Sequence, residues 1–167
     1  RKSVRLFCAL TAQLSWHMES FDVPTAFLQQ SEIFNAERGI PFYLKPPREC
    51  WEEGDDEHTV WLCLKTPYGC ADAPRAWFAS FQAWAKTIGG QPLPLEPCVL
   101  TFRNQQGQLE GHVVLHVDDG MMAGTEEFLR RMRKHLREKY SVGTFSRDRF
   151  KFCGLWLSRS SDGTISM

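Results

Sequence analysis

The sequence predicts an α+β domain with helices on one face of a mainly antiparallel sheet. Three observations carry that expectation. Helix and strand periodicities follow in the order helix, strands, helix, strands, helix, strands. Two of the helices have a clear start signal, and one of these a clear stop. Short turns rich in Asp, Asn and Gly separate neighbouring strands, as hairpins need.

The elements follow in chain order. Val4, Phe7, Cys8, Thr11 and Leu14 recur at helical spacing, so the first stretch is a helix. Met18 to Val23 is a strand leading into Pro24-Thr25, and Thr25 to Gln30 a short helix. Ile40 to Lys45 is a strand stopped by Pro46-Pro47, and Glu49 to His58 an acidic surface loop. Thr59 to Leu64 sets Val60, Leu62 and Leu64 against Trp61 and Cys63, a strand period. A helix then starts with Asp72 as cap and Pro74 in its first turn, and ends at Gly89-Gly90, with Trp77, Phe81, Trp84 and Ile88 on one face. Cys98 to Arg103 and Leu109 to Val117 are strands about the turn Asn104 to Gln108. Asp118-Asp119-Gly120 is a tight turn before Met121 to Gly124. Thr125 caps a helix from Glu126 to Tyr140 whose inward residues are Leu129, Met132, Leu136 and Tyr140. Phe150 to Leu157 and Thr164 to Met167 form a last hairpin about Ser161-Asp162-Gly163.

Bulk composition narrows the function classes. A length of 167 residues suits one domain, and twelve Phe with six Trp can fill a large core. Lys plus Arg equals Asp plus Glu at 20 each, so any contact with nucleic acid must come from local patches. The six cysteines form no C-x-x-C pair, which argues against zinc, and a chain this apolar needs no disulfides. Reduced cysteines, no signal peptide and no apolar run near 18 residues point to an intracellular protein without a membrane span. The start at Arg1, without Met, and the strand-like end at Met167 suggest a segment of a longer polypeptide.

Two sites hold residues suited to chemistry. Asp22 ends a strand in Phe21-Asp22-Val23, and the apolar strand Val113 to Val117 delivers Asp118 and Asp119 into a turn. Each alone has a structural reading: Asp-Asp-Gly is a good hairpin turn, and Asp22 can cap the following helix. Taken together they say more. If the two strands pair in the sheet, three carboxylates meet at one edge and repel unless cations neutralise them. All-oxygen ligands suit Mg²⁺ or Mn²⁺, and two such ions are a known solution for in-line phosphoryl transfer.

Six segments carry a resemblance across nearly the whole chain. They are Phe21-Asp22-Val23-Pro24-Thr25-Ala26-Phe27-Leu28; Phe42-Tyr43-Leu44-Lys45-Pro46-Pro47; Leu62 to Gly69 with Ala73-Pro74-Arg75-Ala76-Trp77; Glu96-Pro97-Cys98-Val99-Leu100; Leu115-His116-Val117-Asp118-Asp119; and Phe152-Cys153-Gly154-Leu155. In that order they resemble the reverse transcriptases of copia-type LTR retrotransposons. The resemblance implies a polymerase palm, a ferredoxin-like antiparallel sheet with helices packed on one face, with partial fingers and no thumb. Residues 1–167 would be the palm core, upstream fingers strands preceding it and a thumb following. The implied activity is RNA-dependent DNA polymerisation onto a primer 3′-hydroxyl.

The roles implied by the resemblance are specific. Asp22, Asp118 and Asp119 would be catalytic. The same three, with the Val23 carbonyl, would hold two Mg²⁺ ions, or Mn²⁺. Pro24, Thr25, Ala26, Phe27, Tyr68 and Gly69 would bind the nucleotide, with Phe27 excluding a 2′-hydroxyl. His116, Val117, Arg75, Phe152, Cys153 and Gly154 would contact primer or template. Partners would be an RNA or DNA template, a primer, deoxynucleoside triphosphates and further polyprotein segments, in a cytoplasmic virus-like particle or the nucleus.

From spacing alone, Phe27 is equally a core residue, Pro67-Tyr68-Gly69 a turn, and Arg75 a structural ion pair. The basic run from Arg130 to Lys139 reads as a solvated helix face whose charges suit the C-terminal dipole. The sequence departs from the family at His116, where Tyr is usual, and after Tyr140. A Lys able to protonate pyrophosphate has no obvious match; Arg147, Arg149 and Lys151 are nearby, but Arg is a poor proton donor. Two other classes fit the chain: an inactive retrotransposon relic, or a sheet-based RNA-binding module. The latter lacks its Gly-Phe-Gly-Phe aromatic strand here.

Overall fold

A computed structural model of the chain describes residues 2–29, 41–66 and 68–167. In chain order the elements are α1 (Lys2–Gln13), β1 (His17–Asp22), β2 (Tyr43–Leu44), β3 (Trp61–Leu62), α2 (Ala73–Thr87), β4 (Gln91–Leu93), β5 (Glu96–Arg103), β6 (Leu109–His116), β7 (Asp119–Gly124), α3 (Glu126–Lys139), β8 (Ser146–Arg147), β9 (Arg149–Phe152), β10 (Leu155–Arg159) and β11 (Ile165–Ser166). Short 3₁₀ turns sit at Ala26–Leu28 and Arg48–Cys50. The chain divides into two compact units: Arg1–Ala26 with Phe81–Met167, and Phe27–Ser80.

The first unit is built on a six-stranded sheet in the order β4-β5-β6-β7-β1-β8. Every strand pair in it is antiparallel, as the sequence predicts. A three-stranded sheet, β11-β10-β9, accompanies it.

The helices, however, cover both faces of the large sheet rather than one. Residues paired in register share a face, and consecutive residues point to opposite faces. Met18 pairs with Ala123, and both join a core cluster with Val4, Phe7 and Cys8 of α1. The next pair, Glu19 with Met122, faces the other way, and there the Glu19 carboxylate accepts a hydrogen bond from Arg133 of α3. On that second face Phe128 of α3 lies over Gly111 and Gly124; a Cβ on either would stand 2.2 or 2.5 Å from its ring. The signal was present in β6, where Gly111 to Leu115 are all buried. A strand with no polar side is covered on both.

Helix ends follow their expected chemistry. Gly89 takes φ +90° after α2; its N–H donates to the Lys86 carbonyl and that of Gly90 to Ala85, a Schellman ending. Thr125 caps α3 by accepting the Phe128 N–H at 3.2 Å, and Phe128, Leu129, Met132 and Leu136 are buried beneath it.

Three local expectations change. The β6–β7 turn sits at Val117-Asp118, closed by the His116–Asp119 pair, so Asp119 and Gly120 belong to β7. Phe150 to Leu157 is not one strand: it folds back at Cys153 (φ 49°) and Gly154 (φ 80°) into β9 and β10. Two consecutive positive φ angles make a two-residue hairpin loop, which Gly permits at its second position. The turn at 161–163 survives as the β10–β11 connection. Finally, β4 and β8 were not expected, because Pro92 obscures the first and the second is two residues long. Both lie at sheet edges, where Pro and short strands are tolerated.

In the second unit β2 and β3 pair Tyr43 with Leu62 and Leu44 with Trp61. The Thr59 to Leu64 alternation yields only this short ladder, and Val60, Leu62 and Leu64 are exposed. The acidic stretch is the surface loop expected, stitched by Asp56 and Thr59. Gln30, Ile40 and Pro67 lie outside the described residues.

Candidate active site

The site begins with strand register. β1 and β7 pair so that Asp22 stands directly opposite Asp119. One residue on, the Val23 N–H donates to the Asp118 carbonyl at 3.1 Å. The backbone therefore brings all three acidic positions, nearly a hundred residues apart in sequence, to one end of one ladder. Val117 holds φ +57° in the two-residue loop before Asp118, while Asp118 does not share that sign, the pattern of a type II′ turn. That position favours Gly, and a β-branched residue there is strained.

Electrostatics follow from this crowding. Burial, and then the neighbouring Asp118, hold the Asp22 carboxyl above the usual carboxylate range. Asp119 is raised by burial and by Asp118 and Asp22, with His116 pulling it back. No Lys or Arg is among the groups that shift either carboxyl, and their hard oxygen donors fit a divalent cation. Among the described residues no three Asp, Glu, His or Cys side chains form a ready-made metal cage. What converges is the backbone.

The remaining predicted residues divide by location. Val23 is fully buried, Pro24 and Thr25 are exposed, and Thr25 takes φ +52°. Ala26 is fully buried. In the second unit Phe27 is buried and its ring lies 4.6 Å from that of Tyr68, which is exposed beside Gly69 (φ +91°). Arg75 is exposed in the first turn of α2. In the first unit His116 and Val117 are exposed at the hairpin tip, and the His116 ring stands 6.4 Å from Phe152. Phe152 itself is buried in the core cluster, and Cys153 and Gly154 at the next turn are exposed.

A cavity of about 340 Å³ opens beside the carboxylates, lined in part by Asp22, Asp119, Arg149, Lys151 and Trp156. Trp156 had no expected role. The signal was the Cys153-Gly154 turn, which sets Lys151 opposite Trp156 in register. The basic run on α3 is largely committed to structure: Arg131 pairs with Glu110, Arg133 with Glu19, Lys134 with Glu138, and Arg137 lies over Phe145. Among the described residues no helix is long and apolar enough to cross a membrane.

Comparison with known proteins identifies the family. Residues 1–165 match the family model described as reverse transcriptase (RNA-dependent DNA polymerase). The chain is 30% identical over 130 residues to the retrovirus-related Pol polyprotein from transposon TNT 1-94 of Nicotiana tabacum, covering 76% of this chain and 9% of that protein. It is 25% identical over 141 residues to the Pol polyprotein from transposon RE1 of Arabidopsis thaliana, covering 84% and 9%. With that from transposon RE2 it shares 24% over 165 residues, covering 96% and 10%. The chain thus spans about a tenth of the length of these relatives. No solved structure matches it. A family match over residues 1–165, joined to three transposon polyprotein relatives, places the chain in the reverse transcriptase family of the copia type.

Proposed function

We propose that the Asp22, Asp118 and Asp119 end of the β1–β7 ladder is the divalent-cation site of an RNA-directed DNA polymerase, and that the first unit is its palm. The observation that supports this best is the register itself: Asp22 opposite Asp119, with Val23 bonded to Asp118. A bound pair of Mg²⁺ or Mn²⁺ ions would supply Lewis acidity to the attacking 3′-oxygen and the leaving phosphate oxygens. Asp22 and Asp118 would hold the ions, aided by the Val23 carbonyl, and Asp119 would add negative charge beside them. Pro24, Thr25 and Ala26 would shape the approach of the deoxynucleotide. His116, Val117, Arg75, Cys153 and Gly154 would meet primer or template, while Phe152 braces the Cys153 turn from the core. The protein's contribution would be alignment of hydroxyl, α-phosphorus and leaving oxygen. The chain would work inside the cell as one segment of a longer polyprotein.

Primer extension on an RNA template, by the chain within its full polyprotein, tests this reading. It predicts Mg²⁺- or Mn²⁺-dependent incorporation that falls by about two to three orders of magnitude in Asp118→Asn. No extension by the parent, or extension indifferent to Asp118, rejects it. The first outcome would indicate a relic or an RNA-binding module.

A further inference from the structure

Residues 141–145, between α3 and β8, turn back along β1. Tyr140 anchors one end, buried, with its N–H donating to the Leu136 carbonyl at 2.8 Å. Ser146 anchors the other by pairing with Ser20. Between them the Gly143 N–H donates to the Asp22 carbonyl at 3.2 Å. The Val23 N–H, which donates to the Asp118 carbonyl at 3.1 Å, belongs to the same peptide group. That peptide is thus held at its oxygen by the segment after α3 and at its nitrogen by the β6–β7 turn. A peptide group is planar, so two bonds at opposite ends fix its orientation.

Aromatic packing braces the same segment. Phe21 precedes Asp22 on β1 and so points to the opposite face of the sheet. It is buried, and its ring fills the space over Gly120, where a Cβ would stand 2.1 Å from it. Phe145 packs against Phe21 with ring centroids 6.2 Å apart. The Arg137 guanidinium lies 5.1 Å from the centre of the Phe145 ring. The stack joins β7, β1, the 141–145 segment and α3 directly behind the carboxylate end. We propose that Gly143 and Phe145 are positioning residues for that end. Together they fix the Asp22–Val23 peptide, and with it the bearing of the Asp22 side chain on one side and of the Val23 carbonyl on the other. The consequence for a bound cation rests on the polymerase reading above; the clamped peptide does not.

The test is amide hydrogen exchange of the metal-free chain, followed residue by residue by NMR, and then Mn²⁺ uptake. Gly143→Pro removes the donor. Gly143 takes no positive φ and a Cβ there meets nothing within 4 Å, so Gly143→Ala keeps the donor and is the control. The Val23 amide is expected to exchange about tenfold faster in Gly143→Pro than in Gly143→Ala, with that of Val113 on the inner strand β6 unchanged. Phe145→Ala should shift Val23 in the same direction, and Phe145→Leu should restore most of the protection. An unchanged Val23 rate in Gly143→Pro, or a rise that Val113 matches, overturns the proposal. Electron paramagnetic resonance of free Mn²⁺ reads the consequence: Gly143→Pro and Phe145→Ala should bind about tenfold more weakly than the parent, and Phe145→Leu close to it. Uptake by the parent and equal uptake by both weakened variants overturns the positioning role and leaves the cation reading intact. No uptake by the parent, with Val23 released in Gly143→Pro, defeats the cation reading, and the clamp stands.

Discussion

Asp22 and Asp119 face one another across the β1–β7 ladder, while the next N–H along β1, that of Val23, is tied to the carbonyl of Asp118. A slip of one residue would send Asp22 to the opposite face. Burial and mutual repulsion raise both Asp22 and Asp119, so folding favours their protonated forms. These two groups therefore add stability as pH falls through the raised carboxylate range and withdraw it as pH rises. Asp119→Asn should be at least as stable as the parent at pH 7, by less than about 1 kcal/mol because both groups are solvent-screened. Urea titrations of parent and variant at pH 7 and pH 5 check this; the difference should shrink at the lower pH.

His112 acts in the opposite direction and more strongly. It is fully buried beneath α1, edge-on to Phe7 at 4.7 Å, and burial pulls it down to about 4. The Thr11 hydroxyl donates to the Phe7 carbonyl at 2.7 Å, so it must accept from His112 Nε2, leaving Nδ1 bare. The folded state holds the neutral ring, so stability is intact above the unfolded value near 6.5 and drains away as pH falls toward 4. The loss should reach about 3 kcal/mol, outweighing the carboxylate gain. His112→Phe keeps the ring contact and should remove most of that slope in stability measured by urea titration.

Val117 carries strain that its side chain does not require. Asn tolerates positive φ better than a β-branched residue does, and Val117 is 39% exposed, so little packing is at stake. Val117→Asn should stabilise the fold by about 1 kcal/mol in thermal or urea unfolding. A loss of stability would mean that the turn is shaped by side-chain packing instead.

Glu19 is 1% exposed, and its carboxylate meets Arg133 from α3 and Arg147 from β8. Burial raises its proton affinity while both guanidinium groups oppose that shift. Removing it leaves Arg133 only Glu126, at 3.8 Å, so Glu19→Ala should cost about 2 kcal/mol in urea unfolding. A neutral result would show that Arg133 reaches water or Glu126 instead.

Much of the framework was legible because local chemistry and packing agree. Thr125, Gly89 and Gly90 specify helix ends wherever those helices lie, and the pattern in β6 specifies a buried strand. The pairing of β1 with β7 was legible only as a condition for three carboxylates to meet. What escaped was decided at longer range. The Cys153-Gly154 turn breaks an apolar run that reads as one strand, since a Cys at positive φ leaves no compositional mark. Coverage of both faces was marked only in β6, which has no polar side; which helix takes which face depends on the strands that neighbour β1. Trp156 counted as core by type; only the register with Lys151 reveals that it points outward.

In the proposed site the three acids act together on a divalent cation. Electron paramagnetic resonance of free Mn²⁺ titrated with the chain measures that directly. Saturable loss of the free-ion signal is expected for the parent, and little loss for folded Asp22→Asn or Asp118→Asn. Equal uptake by parent and variants, or no uptake by the parent, would contradict it.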